Sequence, residues 1–200
     1  SYYSNSTISN FTTPFTLGDT LYSIGYSWRF IHDDGRYSKI AYRIYPDAND
    51  TISALGFKAC NQAGTGGTYT VSLQSDSDGE PSGTVLTSNT SVNIPSRAEY
   101  TIPVPDYTVT ANTPYWVVIN QTTPDSGNYS KFRVLRPPSN IDDNYASRVY
   151  HISLSSWIDK NDIAVVWYQT NTGEKKGQLM HRGGSNWKIY GSRYGGELLS

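Results

Sequence analysis

The side chains best suited to chemistry are few and scattered. The three histidines, His32, His151 and His181, lack the H-x-x-H or H-E-x-x-H spacing that a zinc site draws from one element. No G-x-S-x-G elbow presents a serine nucleophile. Glutamate is confined to Glu80, Glu99, Glu174 and Glu197, so an acid–base pair of the glycosidase kind would have to be assembled by the fold. His32-Asp33-Asp34-Gly35 reads as a solvated turn rather than a ligand cluster. In Asp76-Ser77-Asp78-Gly79-Glu80 acidic side chains alternate at a spacing that calcium loops also use, without the later bidentate Glu of an EF-hand. An Asp/Gly turn explains these residues without an ion. Asp76, Asp78 and Glu80 are the calcium candidates, and no other cofactor is expected. Flat aromatic rings are the remaining resource. Trp157, Trp187, Tyr190 and Tyr194 lie in the polar C-terminal third and are candidates for stacking on sugar rings; packing at sheet edges is the alternative.

The elements that must position these residues are strands. No segment sustains a 3.6-residue period. Tyr22, Ile24, Tyr26, Trp28 and Phe30 alternate with small or polar residues, as do Ile40, Tyr42 and Ile44 beyond the Asp-Gly turn, which predicts a hairpin. The stretch from Tyr69 to Ile119 organises the rest. It opens on the alternating strand Tyr69–Ser75, turns through Asp76–Gly83, and alternates again over Tyr100–Val104. It ends on Tyr115-Trp116-Val117-Val118-Ile119, a continuous apolar run expected to be buried on both faces. Ile163–Tyr168 is a second such run, and Trp28, Trp116 and Trp167 are expected in the core. The chain therefore reads as all-β, a jelly-roll-like β-sandwich of one domain over residues 16–200. Residues 140–200 either complete its two sheets or add a small extra one.

The order Tyr69-Thr70-Val71-Ser72-Leu73, the Asp/Gly/Pro/Ser/Gly turn, and Thr110-Ala111-Asn112-Thr113-Pro114-Tyr115-Trp116-Val117-Val118-Ile119 resembles jelly-roll domains of secreted and surface-anchored prokaryotic proteins. These are similar in architecture to carbohydrate-binding modules. The resemblance covers roughly residues 50–136. It implies a β-sandwich outside the cell, and it raises the expectation of a structural calcium ion. It implies no particular ligand.

Composition agrees with that location. With 16 basic and 17 acidic residues the net charge is −1, which lacks the concentrated positive charge of a nucleic-acid binder. No apolar run approaches the ~20 residues of a membrane-spanning helix. The single cysteine, Cys60, precludes an intrachain disulfide and reads as a small packing residue. The chain opens at Ser1, as expected of an exported protein whose leader has been removed. Asn5, Asn10, Asn49, Asn89, Asn120 and Asn128 each begin an N-x-[ST] sequon, so covalent N-glycans are expected.

Residues 1–15 are extended in character, uncharged and short of apolar anchors, with Pro14 near their end. Such a strand pairs either with an edge of its own sheet or with a neighbouring subunit. The leading expectation is a non-enzymatic extracellular structural protein, a subunit of a glycosylated filament or surface assembly. Its copies would be joined by strand exchange through Tyr2, Ile8 and Phe11. The alternative is a lectin-like carbohydrate-binding module.

Overall fold

The computed structural model describes residues 20–21, 25–30, 37–46, 48–121, 123, 125, 127–136, 146–164, 166–177, 180–181 and 187–188. The strands of the N-terminal half are β1 (Thr20–Leu21), β2 (Gly25–Phe30), β3 (Tyr37–Ile44), β4 (Thr51–Ala63), β5 (Thr68–Ser77), β6 (Glu80–Asn93) and β7 (Glu99–Thr108). They are followed by β8 (Tyr115–Gln121), β9 (Tyr129–Arg136), β10 (Ala146–His151), β11 (Ser156–Ala164), β12 (Val166–Thr170), β13 (Lys175–Gly177), β14 (Met180–His181) and β15 (Trp187–Lys188). The described residues are all-β, with every ladder antiparallel, and they build a β-sandwich.

One layer has the order β6-β5-β8-β3-β10-β11. The other is built around β4. Its first part, Thr51–Lys58, runs between β12 and β7, and its last part, Ala59–Ala63, pairs with β9. The register slips between Ala59 and Asn61, and such a bulge bends a strand so that it can change neighbours. Strand β11 joins the layers on one side: it pairs with β10 along most of its length and with Leu135 and Val134 of β9 at its end.

Period-two alternation sends Ile40, Tyr42 and Ile44 of β3, Val71 and Leu73 of β5, and Val117 and Ile119 of β8 to the inner face. There they meet Leu55 and Phe57 of β4, Ile102 and Val104 of β7, Phe132 and Val134 of β9, and Tyr168 of β12. Phe132 lies edge-on to both Phe57 and Tyr69, at ring separations of 5.7 and 5.4 Å. The Tyr42 hydroxyl crosses the core and donates to the Arg133 carbonyl at 2.8 Å, so the buried phenol is satisfied. Each such side chain contributes about 1.5–3 kcal/mol by leaving water.

Tyr115–Ile119 is buried at every position, as its continuous apolar run predicts. The turn after β5 is narrower than the polar stretch that suggested it. Ser77 pairs with Glu80, and Asp78 and Gly79 both take positive φ, 51° and 82°. This is the two-residue turn that suits Asp-Gly. The hairpin expected between Tyr22–Phe30 and Ile40–Ile44 does not form. Strand β2 pairs with β9, whereas β3 lies between β8 and β10. Residues after 140 do both things expected of them. β10–β13 extend the two layers, and β14 and β15 form a separate three-stranded sheet with β1.

Strands β6 and β7 adjoin at the remaining side without a backbone ladder. Side chains stitch them: Thr87 Oγ1 donates to the Pro105 carbonyl at 2.7 Å and Asn89 Nδ2 to the Pro103 carbonyl at 3.1 Å. Proline has no N–H, so Pro103 and Pro105 sit where a ladder donor on this edge is dispensable.

Candidate functional site

The outer face of the first layer carries the most organised polar chemistry among the described residues. Register fixes it as two rows across five strands. Thr70, Asn120, Lys39, Tyr150 and Trp157 follow one another, and beside them run Ser72, Val118, Ala41, Arg148 and Asp159. A third, shorter row holds Gln74, Trp116 and Arg43.

Trp116 is the centre of this face. Ala41 and Val118 are buried with it, and the half-buried Trp157 packs against them. The guanidinium carbons of Arg43 and Arg148 each lie 5.6 Å from the Trp116 ring centre, a double cation–π arrangement. Asp76 ties it down: its Oδ1 accepts from Trp116 Nε1 at 2.8 Å and lies 3.2 Å from an Arg43 nitrogen. Arg148 reaches the exposed Asp159 at 3.5 Å. Further along, Tyr150 and Trp157 meet edge to face at 5.3 Å, and Lys39 Nζ stands 4.7 Å over the Tyr150 ring.

This geometry sets the three calcium candidates apart. Asp76 is spent on Arg43 and Trp116 through one oxygen, and its other oxygen accepts from Gly79 N at 3.1 Å. Asp78 is exposed at the turn and Glu80 is an exposed strand residue opposite Ser77. Among the described residues no three His, Cys, Asp or Glu side chains come together as a metal would need. The hairpin pairs Asp76 with Pro81 and Ser77 with Glu80, which puts Asp76 and Glu80 on opposite faces of the β5–β6 ribbon.

A polar cleft of about 220 Å³ opens at one end of the sandwich, lined by Thr65, Gln121, Thr123, Asp125 and Asn128. The loop on its one side approaches very closely: a Cβ at Gly66 would strike the Ile94 carbonyl, and Gly66 and Gly67 both hold positive φ. Asn128 locks the other side. Its Oδ1 accepts from Thr65 N and Oγ1 at 2.9 and 3.1 Å, and its Nδ2 donates to Asp125 Oδ2 at 2.7 Å. The Asn128 amide, and then the Gly127 N–H, hold the Asp125 carboxyl below its ordinary value. Nearby, burial pushes the Tyr69 phenol up, against the opposing effect of its bonds to Ser130.

A second cleft, of about 340 Å³, lies at the opposite end. Leu86, Tyr107, Pro114 and Tyr115 give it an apolar lining, and Ser75 and Asp76 a polar side.

The sequon asparagines fall in different settings. Asn49 is exposed, with its Oδ1 accepting from Ala111 N at 2.7 Å. Asn89 and Asn120 are half-buried, Asn89 in the stitch to β7 and Asn120 in the outer-face row. Asn128 is held in its loop, and its sequon hydroxyl, on Ser130, is fully buried against the Gly66 and Ile94 carbonyls. Asn5, Asn10, Tyr2, Ile8, Phe11, Tyr190 and Tyr194 lie outside the described residues, as does the side chain of Trp187, and so do His32, Asp33 and Asp34. Of the sugar-stacking candidates, Trp157 is thus the one whose side chain is placed.

Sequence reasoning missed Arg43 and Arg148. The signal was the alternation of β3, which puts Arg43 on the face opposite Ile44; what it lacked was the identity of the neighbouring strands. No family model, curated protein or solved structure matches the chain.

Proposed function

We propose that the chain is a non-enzymatic structural module of an extracellular assembly, a β-sandwich subunit joined to copies of itself by exchange of its N-terminal strand. The observation that carries this reading is the unequal treatment of the strand edges. On β7, Pro103 and Pro105 and the side-chain stitch from β6 work against any further strand. Strand β2 carries no such prolines. Among the described residues its six residues pair along one edge, with β9, and none of them is proline. An edge of that length accepts another strand by backbone hydrogen bonding. Residues 1–15 have the composition for it, with Tyr2, Ile8 and Phe11 as anchors. Donation to the next copy is a head-to-tail contact, which does not close and so builds a fibre. The exposed sequon at Asn49 suits a glycosylated, extracellular surface.

Electron microscopy of the full chain beside a version starting at Phe15 tests it. Fibres from the full chain alone support strand exchange, the more so if a peptide of residues 1–14 restores them. Fibres from both versions would remove the N-terminal strand from the mechanism. Monomers from both would remove self-assembly.

A second reading, carbohydrate binding, is favoured by the row Asn120, Lys39, Tyr150 and Trp157, which sets amide, ammonium and aromatic groups side by side on an open strand face. Loss of glycan-array signal in Trp157→Ala, with unfolding behaviour unchanged, would support it. An array on which the wild-type chain is blank would end it.

A further inference from the structure

Three large apolar side chains are exposed among the described residues: Leu154 at 62%, Val85 at 52% and Ile152 at 40%. Two of them share one protrusion. Ile152 and Leu154 stand on the turn between β10 and β11, which is held in shape by bonds from Ser155 N to the Ile152 carbonyl and from Leu154 N to His151 Nδ1, at 3.2 and 3.4 Å. The third, Val85, pairs with Gln74 and so stands on the outer face, whereas its neighbour Leu86 turns inward and lines the apolar cleft beside Tyr107, Pro114 and Tyr115.

Protrusion and cleft lie at opposite ends of the molecule. His151 pairs with Tyr37 at the start of β3, and Tyr115 pairs with Ile44 at its end. The seven residue steps of β3 set these ends roughly 23 Å apart. A knob cannot reach the cleft of its own chain across that span. The charges also differ: Asp78 and Glu80 follow directly on the cleft residue Asp76, and Asp106 precedes Tyr107, all three exposed, while Lys39 stands in the row next to the protruding turn.

The geometry points to a knob-into-cleft contact between copies of this chain, in which Ile152 and Leu154 of one copy enter the cleft of the next. One contact then accounts for Ile152 and Leu154, the two exposed apolar side chains of that turn. Surface and complement differ, so the contact is heterologous and propagates in a file. It rests on the self-assembly part of the proposed function, and it names surfaces distinct from the N-terminal strand.

The test uses the full chain, with assembly followed by sedimentation and electron microscopy. Leu154→Asp is the first variant; the side chain is exposed, so folding is untouched. It raises the concentration needed for assembly by about tenfold or more, the effect of replacing a buried leucine with a charge. The second variant combines Leu154→Cys and Leu86→Cys on a Cys60→Ser background. Oxidation yields a ladder of disulfide-linked oligomers that either new cysteine alone does not give. Wild-type assembly with an unchanged Leu154→Asp threshold and no ladder would overturn the contact and leave self-assembly standing. A wild-type chain that stays monomeric at every concentration, with no ladder, would overturn both.

Discussion

Arg43 and Trp116 face each other across the β3–β8 ladder and are drawn to one atom. The guanidinium lies 5.6 Å from the indole ring, and Asp76 Oδ1 is 3.2 Å from the one and 2.8 Å from the indole nitrogen of the other. Removing the carboxylate leaves a buried cation and a buried N–H together. Asp76→Ala is therefore expected to lose about 3 kcal/mol in urea unfolding, and Asp76→Asn, which keeps an acceptor for Trp116, distinctly less. Equal losses for the two variants would show that the charge contributes nothing.

Gly56 stands opposite Trp167 in the β4–β12 register, and a Cβ there would overlap the indole. Gly56→Ala must push Trp167 off its bond to Thr101 Oγ1, which measures 3.2 Å. The expected cost is about 1–3 kcal/mol, with a change in tryptophan fluorescence of the folded protein. An unchanged melting curve would mean that the indole moves aside freely.

Lys176 Nζ lies 3.0 and 3.2 Å from the two Asp50 oxygens, and the Tyr168 hydroxyl donates to Asp50 Oδ2 at 2.7 Å. All three groups are largely buried, and they tie β13 and β12 to the start of β4. Lys176→Met strands the carboxylate and is expected to cost about 3 kcal/mol, while Lys176→Met with Asp50→Leu recovers part of it. A double variant no better than the single one would contradict this account.

The Asp125 carboxyl is held below its ordinary value of 3.8 by the Asn128 side chain first and Gly127 N second. A depressed carboxyl pKa stabilises the folded loop above the unfolded value, and that contribution disappears as pH falls through the folded one. The cleft loop is thus expected to keep its amide protection at neutral pH and to lose it below about pH 3.8, whereas Asp125→Asn exchanges with no such step. Hydrogen exchange at Gly127 and Asn128 across pH 2–6 reads this out.

Of the sequon asparagines, Asn49 is exposed and Asn128 is tied to Asp125 and Thr65. Glycopeptide mapping after expression in a glycosylating host is expected to find higher occupancy at Asn49 than at Asn128. The reverse order would mean that the Asn128 loop closes only after modification.

The sequence by itself determined the strands and the faces of many of them. Period-two alternation in Ile40–Ile44 and Tyr69–Leu73, the unbroken apolar run at Tyr115–Ile119 and a turn within Asp76–Gly83 are local signals, and each is met in the fold, the turn as the narrower Asp78-Gly79. Alternation tells a side chain which face it takes, but not which strand lies beside it. Tertiary structure alone decided that β2 pairs with β9 rather than β3, that β4 serves both layers, and that Arg43, Trp116 and Arg148 stack on one face. The same lack of partner information left Asp76, Asp78 and Glu80 open to two readings, a plain turn and an ion site. Asp76 is neutralised by Arg43, a residue more than thirty positions earlier, which only the β3–β8–β5 ladders bring within reach.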